Sequence, residues 1–477
     1  MVKCPKEEGT RRLTCLLPCG IHNPTSRVYA PGRTGLAGRS GEEDMERILT
    51  TQLAEHVGER VLLAGWLFRL RRLGGINFLA LRDGWGVAQA VIDDAAELAK
   101  VAPLADESVL SIEGTVTPEP QAPGGLELRQ CHVRVLVPVT EPPPFELNKR
   151  TLKPSLDVFL DHAPVGLRHP QKRAIFRLSA GIMHAFRAYL TAQSFTEVQT
   201  PKLVGTATEG GANVFPVDYL GRTAYLAQSP QFYKQIMVGV FERVFEVGPV
   251  FRAEPHNTAR HLNEYVSLDA EMGFIHDHHT VMATLTGVIR AIIEYLGESH
   301  EADLALLGAQ LPRVPEAIPS IYFPEALRLI AAATGEDVQG EMDLSPADER
   351  WLGEWARTEY GSDFLFVTGY PMAKRPFYTH PNPADPAYSN SFDLLFRGAE
   401  LVTGGQRLHR YEDYVIALEA RNLNPADFAG YLQAFRHGMP PHGGFAIGQE
   451  RFVMQLLGLT NIRESTLFPR DLTRLSP

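Results

Sequence analysis

Between residues 61 and 137 the chain carries five short apolar runs, and what interrupts them narrows the possible folds sharply. The runs at 61–70, 76–82 and 87–92 are parted by Gly74 and Gly75 and by Asp83 and Gly84, pairs that favour tight turns and end strands. A helical stretch follows at 95–104, then further runs at 108–116 and 126–137. Gly and Pro punctuation at this spacing leaves room for strands of ordinary length and for one short helix, and for little else.

Five strands with a helix after the third is the order of an OB-fold barrel, a fold that holds single-stranded nucleic acid by stacking bases on aromatic side chains beside basic ones. Trp66, Phe68 and Phe78 lie near Arg69, Arg71, Arg72 and Arg82. Phe78 is the expected stacking platform, Arg71 a phosphate or base-edge contact, and Gln89 a reader of a base by hydrogen bonds. Trp66 and Phe68 have the same parity on one strand and so share a face; Trp66 is expected to fill the barrel core. Pro142, Pro143 and Pro144 then stiffen a connector. The expected organisation is an extension at 1–44, an OB-fold barrel at 45–140, a hinge at 141–170 and a larger α+β domain at 171–477.

Composition bounds the function. A formal charge of −10 weighs against indiscriminate nucleic-acid binding, while leaving open one folded RNA held at a local basic face. Four Cys in 477 residues do not make a disulfide framework, and Cys15 and Cys19 have no second pair of ligands at zinc-finger spacing. No apolar run approaches the ~20 residues of a membrane span, and no signal segment opens the chain. A cytoplasmic, reduced protein without a membrane is expected, with residues 1–44 a disordered tail because they hold no sustained period.

Beyond the connector, Ile175, Leu178, Ile182, Phe186 and Tyr189 recur every three or four positions, the mark of an amphipathic helix. Three motifs follow. The first ends in Thr200 and Pro201 and leads to a glycine-bearing loop whose one acid, Glu209, suits an ammonium group. In the second, Arg252 and Glu254 stand two apart, which on a strand would put them on one face. Together they would make either a salt bridge or a phosphate clamp beside an acceptor for an adenine amine. Arg260 and His261 add positive charge in the loop that follows, ahead of Leu262. The third runs from Gly443 and Gly444 through Gly448, Gln449 and Glu450 to Arg451 and into a helix. A cation in a first helical turn opposes the macrodipole, which points to an anion nearby such as a terminal phosphate. With 41 glycines in the chain, one such turn alone says little.

In this order the three motifs resemble those of the class II aminoacyl-tRNA synthetases. Gln228 to Gln235, Gly404 to Arg407 and Leu467 to Asp471 are similar to the compact, archaeal-like aspartate members. The resemblance covers residues 45–477. It implies an antiparallel sheet with flanking helices, a homodimer with the Pro201 region at its interface, and L-aspartate, ATP and tRNA as substrates. It assigns the aspartate side-chain carboxylate to Lys234 and Arg407, the α-ammonium to Gln231 and Glu209, and the α-phosphate to Arg252. Glu254 would meet the adenine and Arg451 the γ-phosphate, with Gly448, Gln449 and Glu450 around it. Mg²⁺ is expected at Glu400 and Thr403; Asp393 flanks the same turn, at Arg397 and Gly398, and is a third candidate. Lys234 separates aspartate from asparagine, because a neutral amide gains little from an ammonium group.

The interval between the second and third motifs leaves no room for the extra domain of the bacterial relatives. Relatives that charge only tRNA(Asp) tend to carry Trp and Lys where this chain has Phe68 and Pro123. Pro lacks both the Lys charge and a backbone donor. The expectation is therefore relaxed use of tRNA(Asp) and tRNA(Asn), with a functional link to an amidotransferase.

Overall fold

The computed structural model describes residues 45–205 and 214–477. The expected extension at 1–44, with Cys15 and Cys19, and the expected ammonium ligand Glu209 lie outside the described residues. The chain divides into two compact units. The first holds the described residues up to Trp66, with Leu70–Pro103 and Val109–Val137; the second holds Leu67–Arg69, Leu104–Ser108 and Pro138–Pro477.

Strands β1 (Arg60–Leu73), β2 (Ile76–Arg82), β3 (Val87–Ile92), β4 (Val109–Pro118) and β5 (Leu126–Val137) close a barrel in the order β1-β2-β3-β5-β4, and the helix Ala95–Val101 follows β3. The order and the positions match the sequence expectation. Strict alternation builds the interior: Val61, Leu63 and Leu67 point inward from β1 and Leu79 and Leu81 from β2, each at most 3% exposed. Trp66 corrects the expectation. It has the opposite parity to the inward set, is only partly buried, and lies under the Arg82 guanidinium, whose carbon is 4.9 Å from the ring centroid. The parity argument grouped Trp66 with Phe68 correctly, but parity alone does not say which face is the core.

The second unit is built on an eight-stranded sheet in the order β12-β13-β14-β15-β16-β11-β10-β6. Its strands are β6 (Thr196–Glu197), β10 (Arg243–Phe251), β11 (Glu264–Gly273), β12 (Ser320–Tyr322), β13 (Phe364–Thr368), β14 (Ser391–Phe396), β15 (Ala399–Gln406) and β16 (His442–Gly448). The pairings from β10 through β11, β16, β15 and β14 to β13 are antiparallel, as the resemblance implies, while the two edge strands β6 and β12 join in parallel. A small sheet of β7 (Leu203–Val204), β8 (Pro216–Tyr219) and β9 (Arg222–Leu226) stands apart from it.

One face of the large sheet is greasy. Leu268 and Ala270 of β11, Phe445 and Ile447 of β16 and Val402 of β15 pack with Ile175, Leu178, Ile182 and Phe186 of the helix Pro170–Ala192. The helix His278–Ser299 joins them. By length and composition alone it would pass for a membrane span, but Val281, Leu285, Val288, Ile289, Ile292 and Leu296 are sealed in this core. Period-2 geometry sends the alternate residues of the same strands, Asp269, Glu271, Gly444 and Ala446, to the other face. That face carries the site.

Candidate active site

The polar face of the sheet floors a cavity of ≈ 320 Å³. Its walls bring together thirteen residues singled out from the sequence: Gln231, Lys234, Arg252, Glu254, Arg260, His261, Leu262, Glu400, Thr403, Arg407, Gly448, Glu450 and Arg451.

At the floor, the helix Gln231–Phe241 delivers Lys234. Pro230 is its N-terminal cap, and the Ser229 hydroxyl accepts from the Gln231 N–H at 3.1 Å. Lys234 Nζ donates to Asp269 Oδ1 at 3.0 Å and lies 3.3 Å from Glu271 Oε2. It also reaches the Phe445 carbonyl at 3.3 Å. Arg407 Nε donates to Glu271 Oε1 at 3.0 Å, and its terminal nitrogen to the Gly444 carbonyl at 3.0 Å. Burial opposes the Glu271 charge, but Arg407 and Lys234 outweigh it and hold the carboxyl below the usual range. A Cβ on Gly444 would collide with the Ala270 carbonyl and the Glu271 carboxylate, so glycine is what lets β16 run this close. Asp269 and Glu271 were not assigned a role from the sequence. Two acids spaced two apart among the apolar residues Leu268, Ala270 and Met272 are the signal that the sequence offers.

Arg252 and Glu254 both face the cavity, but not for the reason the spacing gave. β10 ends at Phe251, and the Glu254 N–H donates to the Arg252 carbonyl at 2.8 Å in a tight turn. The Arg252 guanidinium sits 5.7 Å from the centre of the Tyr265 ring. Opposite, the helix Gln449–Leu457 presents Arg451, which donates to the Glu400 carbonyl at 2.9 Å. Burial, against the pull of Glu254, lowers the proton affinity of His261, and Arg451 and Arg260 lower it further. This end of the cavity thus carries three guanidinium groups, those of Arg252, Arg260 and Arg451.

Glu400 lies on the β14–β15 hairpin, whose turn uses Arg397 and Gly398 at φ 48° and 73°. Thr403 Oγ1 donates to Glu400 Oε1 at 2.9 Å. Asp393 does not join them at the cavity wall. It is 5% exposed and pairs with Arg375 at 3.0 Å behind the wall, with Thr403 opposite it on the neighbouring strand. Glu349 approaches from the helix Pro346–Tyr360 and accepts the Glu400 N–H at 3.4 Å; burial and the Glu400 charge push it up to about 7. Gln449 also misses the wall: its amide donates to the Ser179 carbonyl and hydroxyl at 2.8 and 3.0 Å.

Glu450 reaches the cavity, but both of its oxygens take the Val266 N–H at 3.1 Å. Burial pushes it up to about 7. A folded value above the unfolded one means that the folded protein binds this proton more tightly. The resulting stabilisation is full below the ordinary glutamate range and is lost as pH rises through about 7. Glu450→Gln is therefore expected to flatten the fall of stability between pH 5 and pH 8 by on the order of 3 kcal/mol. Chemical denaturation of both proteins at the two pH values measures it; parallel curves would refute the buried-acid account.

In the barrel, Phe78 is half-buried on the outer face and Pro123 sits exposed in the turn before β5. Arg71 donates to Gln89 Oε1 at 3.3 Å, and the Gln89 amide donates to Glu127 at 3.0 Å. Phe68 is partly exposed on the face shared with Trp66.

Comparison with known proteins decides what this combination is. The family described as "tRNA synthetases class II (D, K and N)" matches residues 155–472, and "OB-fold nucleic acid binding domain" matches 61–136. The chain belongs to the class II tRNA synthetases. Among this synthetase's relatives is the "Aspartate--tRNA(Asp/Asn) ligase" of Thermus thermophilus, 48% identical over 90% of this chain and all of that one. A protein of the same name from Deinococcus radiodurans is 47% identical over 91% of this chain and 99% of that one. In structure, the synthetase is similar to the asparaginyl-tRNA synthetase of Pyrococcus horikoshii complexed with asparaginyl-adenylate, with a TM-score of 0.84 and 31% identity over 91% of this chain and all of that one.

Proposed function

We propose that this synthetase activates L-aspartate with ATP and transfers the aspartyl group to the 3′ end of both tRNA(Asp) and tRNA(Asn). The observation that carries the amino-acid choice is the pair of buried cations, Lys234 and Arg407, held side by side at the cavity floor by Asp269 and Glu271. A preformed ammonium and guanidinium suit a carboxylate and leave a neutral amide poorly matched. The names of the two relatives support the tRNA choice, as does the absence of Trp at Phe68 and of Lys at Pro123.

The chemistry follows from the placement of charge. With the aspartate side chain on Lys234 and Arg407 and its ammonium beside Gln231, the α-carboxylate faces Arg252. A carboxylate oxygen attacks the α-phosphorus and the bond to the pyrophosphate oxygen breaks, giving aspartyl-adenylate and pyrophosphate. Arg252 stabilises the charge on the transferring phosphoryl group, and Arg451 and Arg260 receive the departing phosphates. In the second step the terminal ribose hydroxyl of tRNA attacks the aspartyl carbonyl carbon, AMP leaves, and the ester remains on the tRNA. Neither step needs a nucleophile from the enzyme.

The oxygen donors Glu400 and Thr403, side by side at the phosphate end, fit a Mg²⁺ ion, which prefers one or two carboxylates and completes its shell with phosphate oxygens and water. When bound there, the ion would neutralise triphosphate charge. Glu254 stands as the acceptor for the adenine amine, and Gly448 lets a ligand approach the backbone. On the barrel, Phe78, Arg71 and Gln89 are the proposed anticodon contacts. The proposed enzyme is a cytoplasmic homodimer, a state that sedimentation tests. Aspartate on tRNA(Asn) is a mischarged product, so a separate amidotransferase must convert it.

Purified tRNA(Asp) and tRNA(Asn), charged separately with labelled aspartate, test the reading. Comparable charging of both is expected. Charging of tRNA(Asp) alone would mean that the barrel discriminates despite Phe68 and Pro123. Charging of either tRNA with asparagine would overturn the amino-acid assignment.

A further inference from the structure

Behind the two cations lies a second polar cluster that the proposed chemistry does not use. Gln235, Tyr414, Tyr431 and His442 come from three helices and the start of β16, and each is at most 6% exposed. Their hydrogen bonds interlock. Tyr431 donates to Gln235 Oε1 at 2.8 Å. The Gln235 amide nitrogen donates to the Tyr414 hydroxyl at 3.1 Å and to His442 Nε2 at 3.0 Å. His442 Nδ1 faces the Pro440 carbonyl at 3.0 Å, which requires the proton on Nδ1 and leaves Nε2 an acceptor. Tyr414 donates to the Leu408 carbonyl at 2.9 Å.

Each end of this network is attached next to a substrate-facing group. Gln235 follows Lys234 in the helix. Leu408 follows Arg407. His442 begins β16, and the carbonyls of Gly444 and Phe445 on that strand are the acceptors of Arg407 and Lys234. The three segments that must agree on the spacing of the two cations are thus bound to one another a single layer behind them. Apolar side chains would pack the same space as well; Phe232 stacks on Tyr431 at 4.3 Å between ring centres. Packing alone does not set register, whereas directional hydrogen bonds do.

We propose that Gln235, Tyr414, Tyr431 and His442 are positioning residues that set the spacing of Lys234 and Arg407, and so tune the recognition of the aspartate side-chain carboxylate without touching the substrate. This rests on the assignment of those two cations to aspartate. A clamp of this kind acts on amino-acid binding and leaves ATP binding alone, since Arg252, Arg260 and Arg451 are held by other elements.

The test is aspartate-dependent exchange of pyrophosphate into ATP, with KM measured for each substrate in Tyr431→Phe, Gln235→Leu and a comparison variant, Phe428→Leu. Phe428 packs against the same aromatic cluster and is not part of the network. Tyr431→Phe keeps the ring and its stacking and removes only the hydroxyl. The expected result is a rise of about ten-fold in the aspartate KM for Tyr431→Phe and Gln235→Leu. The ATP KM should stay within about two-fold of the wild type, and Phe428→Leu should leave the ratio of the two constants unmoved. Equal movement of both constants, or an unmoved aspartate KM in both network variants, would overturn the positioning role alone. Failure of the wild-type protein to exchange with aspartate would instead overturn the proposed function on which it rests.

Discussion

Arg252→Ala is expected to lower aspartate-dependent pyrophosphate exchange by roughly 10³-fold, about 4 kcal/mol of transition-state stabilisation. The reasoning is electrostatic. Attack of a carboxylate on a phosphate brings two anions together, and the charge that builds on the α-phosphoryl oxygens needs a fixed cation in a site that excludes water. Arg252 sits where β10 ends, its backbone N–H donating to the Asn263 carbonyl at 2.9 Å and its guanidinium against the Tyr265 ring. It is therefore ordered before substrate arrives, which is what makes such a group effective. Arg252→Lys should recover only part of the loss, because an ammonium cannot hold carboxylate and phosphate oxygens at once in a planar fork. Exchange within about ten-fold of wild type in the alanine variant would sink the assignment.

Lys234→Met is expected to act on both specificity and stability. The ammonium is 1% exposed as part of its residue and lies between Asp269 and Glu271. Removing one partner of a buried ion pair leaves charge unpaired, at a cost of about 3–5 kcal/mol. Arg407 still pairs with Glu271, and the Ser267 hydroxyl still donates to Asp269 at 2.5 Å, so the lower part of that range is the better guide. Thermal denaturation should show the loss. Catalytically, kcat/KM for aspartate should fall by roughly 10²-fold or more, about the worth of a lost charged contact at a desolvated site. Whatever activity asparagine has should change far less, so the preference between the two amino acids collapses. A variant that lost stability but kept its preference for aspartate would show that Lys234 is only a structural counter-ion to Asp269. This is also the experiment that separates a carboxylate-binding site from the amide-binding site of the structurally similar asparagine enzyme.

Why some of the site was readable in advance and some was not follows from where the information sits. Arg451 follows Gly448 by three, and the cation-rich loop from Arg252 to His261 is continuous. Local spacing carries these groups into the cavity together once the strands pair as expected. Asp393 shows the limit of that reasoning. The hairpin forms as its spacing implies, but the register shift between Leu394 and Leu395 is what lets Glu400 and Thr403, three apart on one strand, both reach the cavity, while Asp393 pairs with Arg375 behind its wall. Arg252 and Glu254 reach the cavity through a turn rather than a shared strand face, a geometry that their spacing does not encode.

By itself, the sequence determined the kind of fold and the inventory of chemistry. The ordered motifs mark Lys234 and Arg407 through their resemblance to the class II synthetases, whereas alternation with glycine turns specifies a five-stranded barrel and 3.6-residue periodicity specifies the long core helices. These are properties of neighbouring residues, set by backbone geometry and by which faces must leave water. The tertiary structure decided what each charged group does. Asp269 and Glu271 become the holders of Lys234 and Arg407 only because the helix Gln231–Phe241 and the end of β15 meet β11 at the cavity floor. Trp66 faces outward only because barrel closure selects the other parity as the interior. The Gln235 cluster exists only because residues up to 207 positions apart meet at one buried point. Burial and charge pairing depend on everything that packs around a group, and no local spacing encodes that.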